Sequence, residues 1–207
     1  MSRTITKLFD NYSDAKSALT ALEQLGVPHS DISMVASNAD GTHGEHDTDG
    51  IGDVNDHGDV TRGVSTGAAI GGVGGLLAGL GLLAIPGLGP IVAAGWLVST
   101  AVGAGIGAAG GAATGGIVGA LKNAGHSEDE ANVYAEGVRR GGTLLSARVD
   151  DTLAPEADAI LKGHRSVDIA ERGSAYRQEG WASFDADAPA YRPDQVDAER
   201  NRYTTGL

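Results

Sequence analysis

The chain has 207 residues, 27 acidic and 15 basic side chains, a formal charge of −12 and no cysteine. That balance excludes a nucleic-acid surface, which needs clustered Lys and Arg, and disfavours broad attraction to anionic lipid headgroups; the missing cysteines exclude disulfides and thiolate metal sites. The length suits one ordinary domain with an insertion, or two small ones, and residues 1–10 hold no apolar run of signal-peptide length, so export is not expected.

Residues 1–39 predict a first βαβ half. After an opening strand that ends near Phe9-Asp10, Ser13 and Asp14 start a helix, Ala15, Ala18, Leu19, Leu22 and Leu25 share one face, and Gly26 with Pro28 ends it. The next strand alternates, with Ile32, Met34 and Ala36 on one side and Ser33 and Val35 on the other. Residues 40–62 read as an acidic flexible linker, since Asp40 to Asp59 contains seven acidic residues and no basic one. His43, Glu45, His46, Asp47, Asp49, Asp53, Asp56 and His57 cluster there. Imidazole with carboxylate suits zinc, nickel or copper, but the spacing fits neither a helical HxxxH pair nor a calcium loop. A solvated linker is the favoured reading and no metal is expected; weak metal or proton sensing is the alternative.

From Gly63 to Leu121 the chain carries 59 residues without a charge. Gly67, Gly71, Gly75 and Gly79 recur every fourth position, as do Gly103, Gly107, Gly111, Gly115 and Gly119. In a helix each run lies on one face and lets a second backbone approach closely, so residues 63–122 predict a glycine-zipper helical hairpin. Pro86, Gly87, Gly89 and Pro90 mark its turn. The arms, 63–85 and 91–121, have 23 and 31 residues. At ~1.5 Å per residue either exceeds a ~30 Å hydrocarbon core. Arg62 and Lys122 flank the hairpin on one side and place both termini in the cytoplasm, the hairpin then being transmembrane in a bacterial inner membrane. Against this, 19 of the 59 residues are Gly. Each costs about 1 kcal/mol in a helix relative to Ala. Two other outcomes therefore stay open: hairpins that bury each other in a soluble, cytoplasmic homo-oligomer, and a hairpin folded against its own sheet.

Residues 126–141 predict an amphipathic helix, with Ser127 and Glu130 in capping-box spacing and Ala131, Tyr134 and Val138 on its apolar face. Residues 142–171 form the second βαβ half. Leu145, Ala147 and Val149 alternate with Ser146 and Arg148, Pro155 opens a helix bearing Ala157, Ile160 and Leu161, and a closing strand places Val167 and Ile169 inward. The two halves together predict an α+β fold, a ferredoxin-like sheet of four antiparallel strands with two helices on one face, interrupted by the hairpin. Residues 172–207 read as an extended tail with scattered aromatics, Tyr176, Trp181, Phe184, Tyr191 and Tyr203, suited to a membrane interface, a groove on the sheet or a spacer.

Residues with chemical potential all have blander readings. Gly105 to Gly110 matches GxGxxG, but no strand precedes it and such a match is expected by chance in a glycine-rich run. His29, His126 and His164 stand near helix ends as caps or surface groups, and Arg139-Arg140 complements a helix dipole. No Ser, His and Asp constellation carries a nucleophile motif. No enzyme, cofactor or catalytic residue is expected.

The combination of Ile5-Thr6-Lys7-Leu8-Phe9-Asp10, the zipper with its Ala84-Ile85-Pro86-Gly87-Leu88-Gly89-Pro90 turn, and Ser127-Glu128-Asp129-Glu130-Ala131 … Tyr134 … Gly137 … Gly141-Gly142 resembles the bacterial general stress protein (heat-induced stress protein) family over residues 4–171. The tail, from Gly180-Trp181 to Tyr203, is similar to C-terminal extensions of some relatives; the long acidic linker is a departure. The resemblance implies a stress-associated bacterial protein without established catalytic residues. The expected function is a non-enzymatic, membrane-associated stress protein that self-associates through its zipper. A soluble oligomer whose sheet binds a small effector, and a pore or permeability factor, are the alternatives.

Overall fold

The computed structural model describes residues 2–39, 81–85, 87–100 and 116–204. Ser2–Phe9 forms β1, Tyr12–Gln24 forms α1 and Ile32–Ser37 forms β2. Ala15, Ala18, Leu19 and Leu22 are the buried face of α1. The helix ends where Gly26 takes φ +97°, a left-handed conformation that favours glycine. Gly81–Ile85 is β3 and Gly89–Ala94 is β4. Gly116–Asn123 is α2, Glu128–Arg139 is α3 and Thr143–Asp150 is β5. Ala154–Gly163, Ile169–Gln178 and Pro193–Thr204 are α4, α5 and α6.

The fold is α+β. One antiparallel five-stranded sheet runs in the order β1-β5-β2-β4-β3. Within it β5 lies between β1 and β2 and pairs Ser146 with Thr6 of β1 and with Ser33 of β2, so residues far apart in the sequence share one row. Alternation then assigns the faces. Phe9, Ile32, Met34, Leu145, Ala147 and Val149 pack with α1 and α4. Leu8, Val35, Leu144, Ile91 and Ala93 pack with α2, α3 and the helical residues that begin at Trp96. Helices cover both faces of the sheet, where the sequence predicts two helices on one.

Several expectations are corrected. Residues 81–85 and 91–94, placed in the two helical arms, belong to strands that pair with each other and extend the sheet from β2. The turn between them has Gly87 at φ +77° and Gly89 at φ +79°. β4 is buried on both faces from Ile91 to Ala94, and a strand of that kind reads as a continuous apolar run. No helix among the described residues is long and apolar enough to cross a membrane. This overturns the transmembrane helical hairpin and the inner-membrane placement with cytoplasmic termini that rested on it. The closing strand is reduced to one backbone hydrogen bond, the Val167 amide donating to Leu8 O at 2.8 Å; Val167 and Ile169 do pack against the core, but Ile169 already begins α5. Asp168 is the reason, because its carboxylate accepts from the amides of Ala170 and Glu171 and caps that helix. Residues 172–204, expected as an extended tail, carry most of α5 and all of α6.

Candidate functional site

Ser127 accepts from the Glu130 amide at 3.2 Å while the Glu130 carboxylate accepts from the Ser127 amide at 3.1 Å, a complete capping box that fixes the start of α3. The cap sets His126 over the sheet. Its Nε2 is 2.7 Å from Thr6 Oγ1, which in turn is 2.9 Å from Ser146 Oγ. The Tyr134 hydroxyl donates to Thr6 O at 2.8 Å, and the His126 and Tyr134 rings meet edge to face with centroids 5.5 Å apart. Thr6 and Ser146 are buried. The resulting chain of hydroxyls resembles a proton relay in composition, but Ser146 is fully enclosed and no substrate reaches it. Its effect is to satisfy polar groups beneath the α2–α3 junction.

Desolvation by burial holds the His126 pKa below its ordinary value of 6.5, with Glu130 opposing and Lys7 assisting. Because the folded value is depressed, the neutral ring contributes stability that is full above the unfolded value and is lost as pH falls through the folded one. Urea midpoints of wild type should therefore drop between pH 7 and pH 5 by more than those of His126→Gln. Equal drops would contradict the assignment.

Beside this row the sheet face opens into a cleft of about 170 Å³ lined by Thr4, Trp96, Thr100, Ala120, Asn123, Ala124 and Arg148. Gly95, at φ +96°, brings the backbone hard against Ser33 and turns Trp96 onto the sheet. The indole Nε1 donates to Asp31 O at 3.1 Å, and the Arg148 guanidinium lies 3.7 Å from the ring centroid. Thr4 stands directly opposite Arg148 in the β1–β5 register. Three separate parts of the sequence thus build one wall.

A second polar centre lies between α3 and the C-terminal helices. Glu136 is fully buried and accepts from Arg139 at 2.7 Å and Arg140 at 2.8 Å. Arg140 also reaches Glu179 at 2.8 Å and Glu199 at 3.2 Å, with its guanidinium 4.0 Å from the Tyr176 ring centroid. Arg172 donates to both oxygens of Asp10, at 2.7 and 2.9 Å, and covers Tyr203. Burial works against both guanidinium charges, yet hydrogen bonds with Glu136 and Glu179 around Arg140, and with Asp10 at Arg172, raise their pKa. These contacts are structural: each charge is consumed by a partner. Arg139-Arg140 therefore does more than complement a dipole.

Of the residues singled out in the sequence, Gly67, Gly71, Gly75, Gly79, Gly103, Gly107, Gly111 and Gly115 lie outside the described residues, as do Pro86, the Gly105–Gly110 motif and the His43–His57 cluster. Gly119 is on α2. Gly87 and Gly89 sit in the β3–β4 turn under the C-terminal loop, where a Cβ on Gly87 would stand 2.7 Å from Ala186 Cα. Pro90 is in β4, paired with Ala84. His29 bonds Glu23, and His164 follows α4. Among the described residues no group of three or more His, Cys, Asp or Glu is placed to hold a metal. Sequence reasoning missed Trp96, Thr4, Asn123 and Arg148. The available signal was slight: Arg148 follows Leu144 and Ser146, both buried, on its side of β5.

The fold and cleft define an α+β protein with a small polar site on one sheet face. Comparison of the chain with protein-family models, with curated proteins and with solved structures gives no match in any of the three.

Proposed function

We propose that this chain is a non-enzymatic regulatory protein of the bacterial general stress type that binds a small effector on the α2–α3 face of its sheet. The observation that carries the reading is the cleft at Trp96 and Arg148, because its lining offers hydrogen-bond donors and an indole but no carboxylate or imidazole. Such a lining suits binding without proton transfer. The order β1-β5-β2, with α1 and α4 on one face and Val167 beside β1, supports a ferredoxin-like core to which β4 and β3 have been added. In this reading the inserted segment supplies Trp96, Thr100 and α2, and so converts a bare sheet face into a pocket.

Thermal melting of the full-length protein against a panel of anionic, cationic and neutral metabolites tests the reading. A ligand at 100 times its Kd adds about 2.7 kcal/mol to stability. A rise in melting temperature with at least one compound is the expected result; a melting temperature that no member of the panel moves would refute effector binding.

A further inference from the structure

We infer that the cleft is a site for a small oxyanion, a carboxylate or a phosphate, held by the free edge of the Arg148 guanidinium. The inference rests on the effector-binding reading above and names its ligand class. In a chain of charge −12 a guanidinium is expected to find a carboxylate. Among the described residues eight other arginines do so. Arg148 makes no ion pair among them, although Asp150 lies two residues further along the same strand. Among the described residues its charge meets the indole face of Trp96, and a guanidinium held over an aromatic ring keeps its in-plane N–H donors for another partner.

The wall beneath it is rigid. Trp96 is held by its bond to Asp31 O and by the Gly95 turn against Ser33. Thr4 and Asn123 add a hydroxyl and an amide to the same cleft, while the Thr100 hydroxyl is already donated to Trp96 O at 3.0 Å. α2 ends beside the site, and a helix C-terminus disfavours anions. Here its last carbonyls are occupied: Ala120 O, Leu121 O and Lys122 O accept from the amides of Ala124, His126 and Gly125. Arg148 is then the nearest uncompensated charge. The cleft, about 170 Å³ and partly open to solvent, admits an oxyanion with a short substituent.

Trp96 reports on its own site. The protein has two tryptophans, so Trp181→Phe leaves Trp96 as the sole indole. Full-length Trp181→Phe protein is titrated with sodium acetate, inorganic phosphate and sodium chloride at matched ionic strength, following Trp96 fluorescence. Acetate or phosphate should give a saturable change with Kd at or below about 1 mM. Arg148→Gln should weaken it at least about tenfold, and Arg148→Lys, which keeps the charge but not the planar fork, should fall between. A tighter response to acetate assigns a carboxylate ligand, and a tighter response to phosphate a phosphate ester. Chloride matching either anion, or Arg148→Gln binding as wild type does, overturns the proposal. A neutral or cationic metabolite that moves Trp96 fluorescence while both oxyanions fail overturns the anion assignment and leaves effector binding standing. Failure of every compound in both experiments overturns the two together.

Discussion

Arg140→Leu is expected to destabilise the protein by about 3–5 kcal/mol, the range for removing one partner of a buried ion pair. The side chain of Arg140 is 7% exposed and that of Glu136 0%, so neither charge can be rescued by water. Without the guanidinium, Glu136 keeps only Arg139, while Glu199, itself 8% exposed, loses a buried counter-charge. The Tyr176 ring also loses the cation it packs under. Glu179 feels the same change: burial opposes its ionisation, but Arg140 and Arg202 hold its pKa below the usual carboxylate range. Urea unfolding followed by circular dichroism reads the loss as a lower midpoint at unchanged slope. A change under about 1 kcal/mol would show that the network is solvated like a surface pair.

Gly95→Ala is the second large effect, about 3 kcal/mol or more. Two costs combine. At φ +96° an L side chain pays about 1–2 kcal/mol for the left-handed conformation. A Cβ would also stand 2.6 Å from Ser33 Cα and 2.8 Å from Ser33 Cβ, and press on Ile32 O. These are backbone atoms and the stem of a strand residue, so no rotamer change relieves them. Gly125→Ala separates the costs, since Gly125 has φ +101° but nothing within 4 Å of its would-be Cβ. It should lose only the conformational part. Equal losses at the two positions, measured by the same urea midpoints, would remove the packing argument, and with it the account of how Trp96 is held.

Legibility in the sequence followed the kind of force involved. β1, α1, β2 and the Leu145–Val149 alternation were readable because one face of each is apolar at a fixed period, and α3 because its cap is written in Ser127 and Glu130. The β3–β4 hairpin was not, because burial of Ile91–Ala94 of β4 on both faces erases alternation there, and the four-residue glycine spacing on either side invited a helix throughout. Leu82, Leu83, Ile85, Ile91 and Val92 around a Pro-Gly turn are equally a β-hairpin signal. α5 and α6 were missed for the opposite reason. Their attachment comes from Arg140, Arg172, Glu179, Glu199 and the rings of Tyr176 and Tyr203 rather than from an aliphatic stripe, with Val196 the buried aliphatic of α6. The cleft draws on Thr4, Trp96, Asn123 and Arg148, which only strand register and one glycine turn bring together.

The position of β5 between β1 and β2 governs when the sheet can close. Thr6 and Ser146, hydrogen-bonded neighbours in the finished protein, are 140 positions apart in sequence. At 5–20 residues per second a ribosome takes roughly 7–28 seconds to cover that distance. Until then β1 and β2 lack the strand that joins them, although β2 already has β4 to pair with. Joining β1 to the rest of the sheet is therefore a late event that carries the loop-closure cost of a contact so distant in sequence.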